Sequence, residues 1–162
     1  MTGKLKSGTR ELSLTDLAAR VERAASAFES IGIGRGDGVG VMLRNDFPFF
    51  EASMAAGQLG AYSVPVNWHF TVDEAAYIIS DSGVKAVVVH ADLLDTAMQA
   101  VPPGVEVLSV DTPPEIAQTY QIPSEKCVTP SNVKSWDNLI ASFPRRIPTL
   151  LESPGAIAAT TW

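Results

Sequence analysis

Apolar residues recur at helical spacing in the first strong segment, SLTDLAARVERAASAFESIG, where Leu14, Leu17, Ala18, Val21, Ala25, Phe28 and Ile31 line one stripe. The pattern predicts an amphipathic helix opened by Ser13, whose hydroxyl can accept a free backbone N–H of the first turn. Asp16 then faces the positive end of the helix dipole, and Gly32 supplies a left-handed stop. Val39–Leu43 is too short for a helix and continuously apolar, as befits a strand covered on both faces. The following RNDFPFFEASMAAGQLGA predicts a helix opened by Asn45 or Asp46, with Pro48 in its first turn and a close near Gly60. Tyr62–Asn67 is a second strand candidate, and Thr71 with Glu74 forms a capping box ahead of a third helix.

Lys85–His90 is the most persuasive buried strand. A helix over ADLLDTAMQAV ends at Pro102 and Pro103, and VEVLSVD supplies a fourth strand. Four strands separated by three helices predict an α/β layered domain with a mostly parallel sheet flanked by helices, because a parallel return needs a long crossover. From about 111 to 133 the period fails and Pro113, Pro114, Pro123 and Pro130 accumulate, so this stretch reads as a long surface connection. SWDNLIASF reads as a short helix beyond it. At the end, PGAIAATTW reads as a buried strand heading for a polar loop.

Composition adds boundaries rather than detail. A chain of 162 residues, 46% hydrophobic and 19% charged, has the make-up of one soluble domain. With 12 basic against 18 acidic residues and a net charge of −6, it lacks the basic surface that nucleic acid or anionic lipid would need. No uncharged run reaches spanning length and no signal-peptide core follows the first lysines. The single cysteine, Cys127, cannot form an internal disulfide; it reads as a passive thiol and fits a cytoplasmic location.

Candidate chemistry is sparse. Gly32, Gly34, Gly36 and Gly38 are spaced by two and lie between a helix and a strand, the reverse of a phosphate-binding strand-to-helix turn, so they read as a turn. His69 and His90 have no second ligand at metal-binding spacing and read as structural or surface residues. Asp73 and Glu74 stand in a first helical turn, where capping outweighs acid–base work. No residue is assigned a catalytic role and no metal ligand is expected.

The phrases LSLTDL, GDGVG and GAYSVPVNWHFTVDEAAYIISDSGVK are more informative together. They resemble, in order, the LTYxEL, GDRVA and GAVxVPLNxxLTxxELxYxLxDSGAK phrases of the N-terminal portion of adenylate-forming (AMP-binding) enzymes, above all the fatty-acid and other acyl-CoA synthetases. KLKSGTRELS likewise resembles a hairpin of that family. The resemblance implies a chain that is one partial domain, 1–162, within the large N-terminal domain of an acyl-CoA synthetase. It implies ATP, Mg and CoA as ligands of a full-length enzyme that joins a carboxylic acid to CoA through an acyl-adenylate.

In that family a strand following xxPAAI runs into a phosphate loop of the type TSGTTGxPKG. Thr160 matches its first Thr, Thr161 stands where Ser is usual, and Trp162 stands where Gly is needed. Thr160 and Thr161 are therefore the candidate contacts to ATP phosphates, and the chain alone is expected to be inactive. Self-association as a homodimer is expected, through an unpaired strand edge and an uncovered apolar patch. The alternative is a self-standing, non-catalytic α/β binding or interaction domain.

Overall fold

The computed structural model describes residues 3–146. An antiparallel hairpin comes first: β1 (Lys4–Ser7) and β2 (Arg10–Ser13) pair from Lys4↔Ser13 to Ser7↔Arg10 across a two-residue turn, with Gly8 at φ +60°. The turn packs against another part of the molecule so closely that a Cβ on Gly8 would fall on the carboxylate of Glu115. Ser13 then caps α1 (Leu14–Ser30), accepting the amide of Asp16 at 3.0 Å, and Gly32 at φ +82° turns the chain out.

The sheet has five parallel strands in the order β4-β3-β5-β6-β7. These are β3 (Gly38–Met42), β4 (Tyr62–Pro65), β5 (Val84–His90), β6 (Glu106–Val110) and β7 (Lys134–Ser135). Between them run α2 (Phe47–Gln58), α3 (Val72–Asp81), α4 (Leu94–Ala100) after a single 3-10 turn at Ala91–Leu93, and α5 (Pro114–Tyr120); α6 (Trp136–Ala141) follows β7. One core joins α1, α2 and α6 to the sheet through Phe28, Val41, Ala55, Val88 and Trp136, and a second joins α3 and α4 through Ile79, Val87, Val89 and Ala97. Successive residues of β5 thus serve opposite cores, which is why its apolar run is continuous.

The α/β layered architecture and the parallel sheet stand as expected from the sequence, and so do Ser13, the Thr71–Glu74 capping box and the short helix after the proline-rich stretch. Two expectations need correction. The sheet has a fifth strand, β7, and the 111–133 connection is not free of elements: it contains α5 and a 3-10 turn at Ser124–Lys126. Pro113 and Pro114 start α5 rather than break a helix, because proline costs little where the backbone N–H has no intrahelical partner. Asp46 does sit at the N-cap of α2, but its carboxylate makes no capping bond and turns to Arg10 instead.

Candidate functional site

In an open parallel sheet, side chains of different strands converge beyond the carboxyl ends, above all where the strand order reverses. Here that point lies between β3 and β5: the chain leaves β3 outward to β4 through α2, then crosses to the other side of β3 through α3. The residues following each strand end meet there.

Arg44, two residues past β3, is the centre of the cluster. Its guanidinium donates to both oxygens of Asp92, which follows β5, at 2.8 Å each. Asp92 also accepts the hydroxyl of Thr112, past β6, at 2.6 Å, and its own amide donates back to Thr112 Oγ1. The guanidinium lies 4.7 Å from the ring centroids of both Trp68 and Tyr120, close enough for cation–π attraction on two sides. Burial pushes the Asp92 carboxyl up, but Arg44 and Thr112 together outweigh it and hold the group below its ordinary value.

Beside this pair, His90 is fully buried and its Nδ1 accepts the backbone amide of Arg44 at 3.1 Å. That bond places the imidazole proton on Nε2, which faces Asp46 Oδ2 across 3.9 Å; neither atom has a closer partner. The other oxygen of Asp46 accepts from Arg10 at 2.7 Å. Burial raises the Asp46 carboxyl, yet His90, Arg10, the Phe47 amide and Ser7 together hold it far below the usual carboxylate range. Arg10 belongs to the hairpin, whose Thr9 donates through both its amide and its hydroxyl to Glu115 of α5. The hairpin turn, Arg44, Trp68 and α5 enclose a cavity of about 310 Å³.

A second network lies under α1 and α2. Glu51, fully buried, accepts from Arg20 at 2.5 and 3.0 Å and from the indole Nε1 of Trp136 at 2.9 Å, while Arg20 also reaches Asp137. These bonds hold α1, α2 and α6 together.

The guanidinium groups of Arg10, Arg20 and Arg44 are each committed to a carboxylate. Among the described residues, no group of three or more His, Cys, Asp or Glu could hold a metal ion. What the cluster does is fix the turns after β3, β5 and β6 relative to one another.

The residues singled out from the sequence are mostly elsewhere. His69 is exposed with its ring stacked on Trp68, and its amide donates to Asn67 Oδ1 at 3.0 Å. His90 is buried at the end of β5, with its Nδ1 on the Arg44 amide. Asp73 and Glu74 occupy the first turn of α3, and Glu74 closes the capping box. Burial with the negative charge of Asp92 and Glu125 pushes the Cys127 thiol up, away from the reactive thiolate. Gly32 and Gly36 have positive φ in the turn before β3, as a turn requires. Thr160, Thr161 and Trp162, with the strand expected ahead of them, lie outside the described residues. Arg44, Asp92, Trp68 and Tyr120 escaped the sequence reading; the one available signal for the first three was their position just past predicted strand ends, and Tyr120, in the stretch read as a connection, carried none.

Comparison with known proteins decides the family. The model of the AMP-binding family, described as AMP-binding enzyme, matches residues 3–144. The chain belongs to the AMP-binding enzyme family. Relatives of this family member include the long-chain-fatty-acid–CoA ligase FadD13 of Mycobacterium tuberculosis, 33% identical over 97 residues, which are 57% of this chain and 19% of that protein. A feruloyl-CoA synthase of Amycolatopsis is 30% identical over 119 residues, covering 69% of this chain and 24% of the other. The uncharacterised protein Rv1549 of M. tuberculosis is 27% identical over 107 residues, 66% of this chain and 61% of that one. Among solved structures, a benzoate CoA ligase from Burkholderia xenovorans LB400 superposes with a TM-score of 0.73 at 16% identity, over 90% of this chain and 26% of that one, a likeness of fold. This AMP-binding family member thus spans about a fifth to a quarter of the length of the named ligases it matches.

Proposed function

We propose that this chain forms the first sheet layer of an ATP-dependent acid–CoA ligase, and that its 162 residues do not activate a carboxylic acid by themselves. The observation that carries the reading is the family match across residues 3–144 in a chain that spans 19% of FadD13. The paired state of Arg10, Arg20 and Arg44 supports the second half of it, since these groups are occupied in holding turns together. In the whole enzyme, a carboxylate would attack the α-phosphate of ATP to give an acyl-adenylate and pyrophosphate, and the thiol of CoA would then displace AMP. ATP, Mg and CoA are ligands of that whole enzyme, in which Thr160 and Thr161 would begin the phosphate loop. The cytoplasm suits this chemistry and the lone thiol of Cys127.

Pyrophosphate release from the pure 162-residue chain is the test. With ATP, magnesium and a panel of aliphatic and aromatic acids, the rate is expected to stay at the acid-free background; acid-dependent release would overturn the reading. A second reading, a self-standing binding domain, draws support from Rv1549, in which the matched portion makes up 61% of the chain. Mixing the chain with the separately produced remainder of a ligase discriminates: restored activity favours the layer, stable folding with no complementation favours the domain.

We also propose that the isolated chain self-associates, through the open side of β4, which is bonded to β3 alone among the described residues.

A further inference from the structure

The segment that follows β6 is tied down at its base and lightly held elsewhere. The amide of Thr112 donates to the carbonyl of Cys127 at 2.8 Å, that of Thr129 donates to Asp111 Oδ1 at 2.8 Å, and the Thr129 hydroxyl reaches Ser109 Oγ at 3.0 Å. Lys126 adds a pair with Asp95 at 3.2 Å. Residues 113–125 therefore leave and return through one pinned base, as in a compact surface loop whose ends meet. α5 forms the outer part of this loop. None of its residues is buried, and among the described residues no other helix or strand packs broadly against it. A helix of seven residues without a packed apolar face has little stability of its own.

Two clasps hold α5 over the carboxyl edge of the sheet. At its start, Glu115 accepts the amide and the hydroxyl of Thr9 and lies 3.6 Å from Arg10 Nε. At its end, the Tyr120 ring lies over the Arg44 guanidinium at 4.7 Å and edge-on to Trp68 at 5.0 Å, with Tyr120 still 46% exposed. The next residue, Gln121, is held at φ +54°, a left-handed conformation that costs a side chain energy. Between the clasps lies the cavity of about 310 Å³, lined on the sheet side by Arg44 and Trp68 and on the other by Ile116, Thr119 and Tyr120.

We infer that residues 113–125 are a flap over this cavity, which opens when the clasps part and α5 unravels while the sheet and both cores stay folded. Few buried contacts and exposed latching bonds are what let a segment open below the energy of global unfolding. Release also frees Gln121 from its left-handed conformation, which favours opening. The hairpin stays behind, because Arg10 remains bonded to the buried Asp46 at 2.7 Å, so Thr9 is in place to catch the flap again. The open state uncovers Arg44 and Trp68 at the point where the strand order reverses. The inference does not depend on the ligase reading: it concerns access to a cavity of this chain, with or without catalysis.

Amide hydrogen exchange of the full chain, read by mass spectrometry of peptides, tests it. Relative to unstructured rates, the amides of α5 are expected to be protected, yet at least about 100-fold less than those of β5. Thr9→Ala, an exposed change on the hairpin, removes one bond to the Glu115 carboxylate and should speed exchange throughout α5 by at least about fivefold, with α1 and β5 unchanged. Tyr120→Ala, which loosens the other clasp, should do the same. Protection of α5 equal to that of β5 would overturn the inference, since the segment would then open only with the whole domain. So would exchange of α5 at the unstructured rate in the unaltered protein, which would leave no closed state, and so would either substitution leaving α5 unchanged or speeding α5 and β5 alike.

Discussion

At the scale of single residues, the ion pair of Arg44 and Asp92 offers the sharpest test, because both side chains are more than nine-tenths buried. Arg44→Met leaves a buried carboxylate without its partner and should cost about 3–5 kcal/mol at neutral pH. The sign of the pH dependence follows from Asp92. In the native protein its pKa is depressed, so its contribution is present above the unfolded-state value of about 3.9 and is lost as pH falls through the lower folded value. In the variant, burial is no longer opposed by Arg44 and only by the weaker Thr112 hydroxyl bond, so the Asp92 pKa rises above its native value and acid costs the variant less than the native protein. The stability gap between the two proteins should therefore narrow from pH 7 towards pH 4 in urea titrations; a gap that widens would contradict the assigned pairing. Gln121 supplies a prediction of the opposite kind. It is the one non-glycine residue with positive φ among the described residues, at +54°, just past α5. Gln121→Gly removes a left-handed penalty of about 1 kcal/mol against a smaller entropic loss, and should raise the urea midpoint slightly.

At the scale of elements, β5 carries the sheet. Val87, Val88 and Val89 are fully buried and face both cores, so Val88→Asp should cost several kcal/mol, enough to unfold a domain of ordinary stability. Loss of the cooperative thermal transition is the expected result. The cap of α3 is a milder lever: Thr71→Ala should cost about 1 kcal/mol by removing the hydroxyl half of the capping box, while the amide of residue 71 can still donate to Glu74. These elements were legible because their signals are local, an apolar run in β5 and a Thr and Glu three apart at α3. The misses have the same explanation in reverse. β7 is two residues long and too short for any period, and α5 buries none of its residues, so no apolar stripe marked it. The cluster around Arg44 was hidden for another reason. Arg44, Asp92 and Thr112 are separated by 48 and 20 residues and meet only because three parallel strands end side by side.

At the scale of the whole molecule, the sheet edges bear on self-association. β4 has four residues and ends in Pro65, and β7 is shorter still, so both edges offer few free backbone groups. Association through β4 should accordingly be weak. Sedimentation velocity over a concentration series is expected to show the weight-average mass rising only towards the hundred-micromolar range; a single monomeric species throughout would refute association at this edge.

The hairpin that opens the chain has a consequence for timing. Thr9 is held by Glu115, 106 residues later, so the hairpin cannot reach its final seat until α5 has followed it out of the ribosome. At about 5–20 residues per second, the hairpin waits roughly 5–20 seconds. During that interval β3, α2, β4 and β5 can already assemble, and their carboxyl edge stays open to whatever else is nearby in the cell.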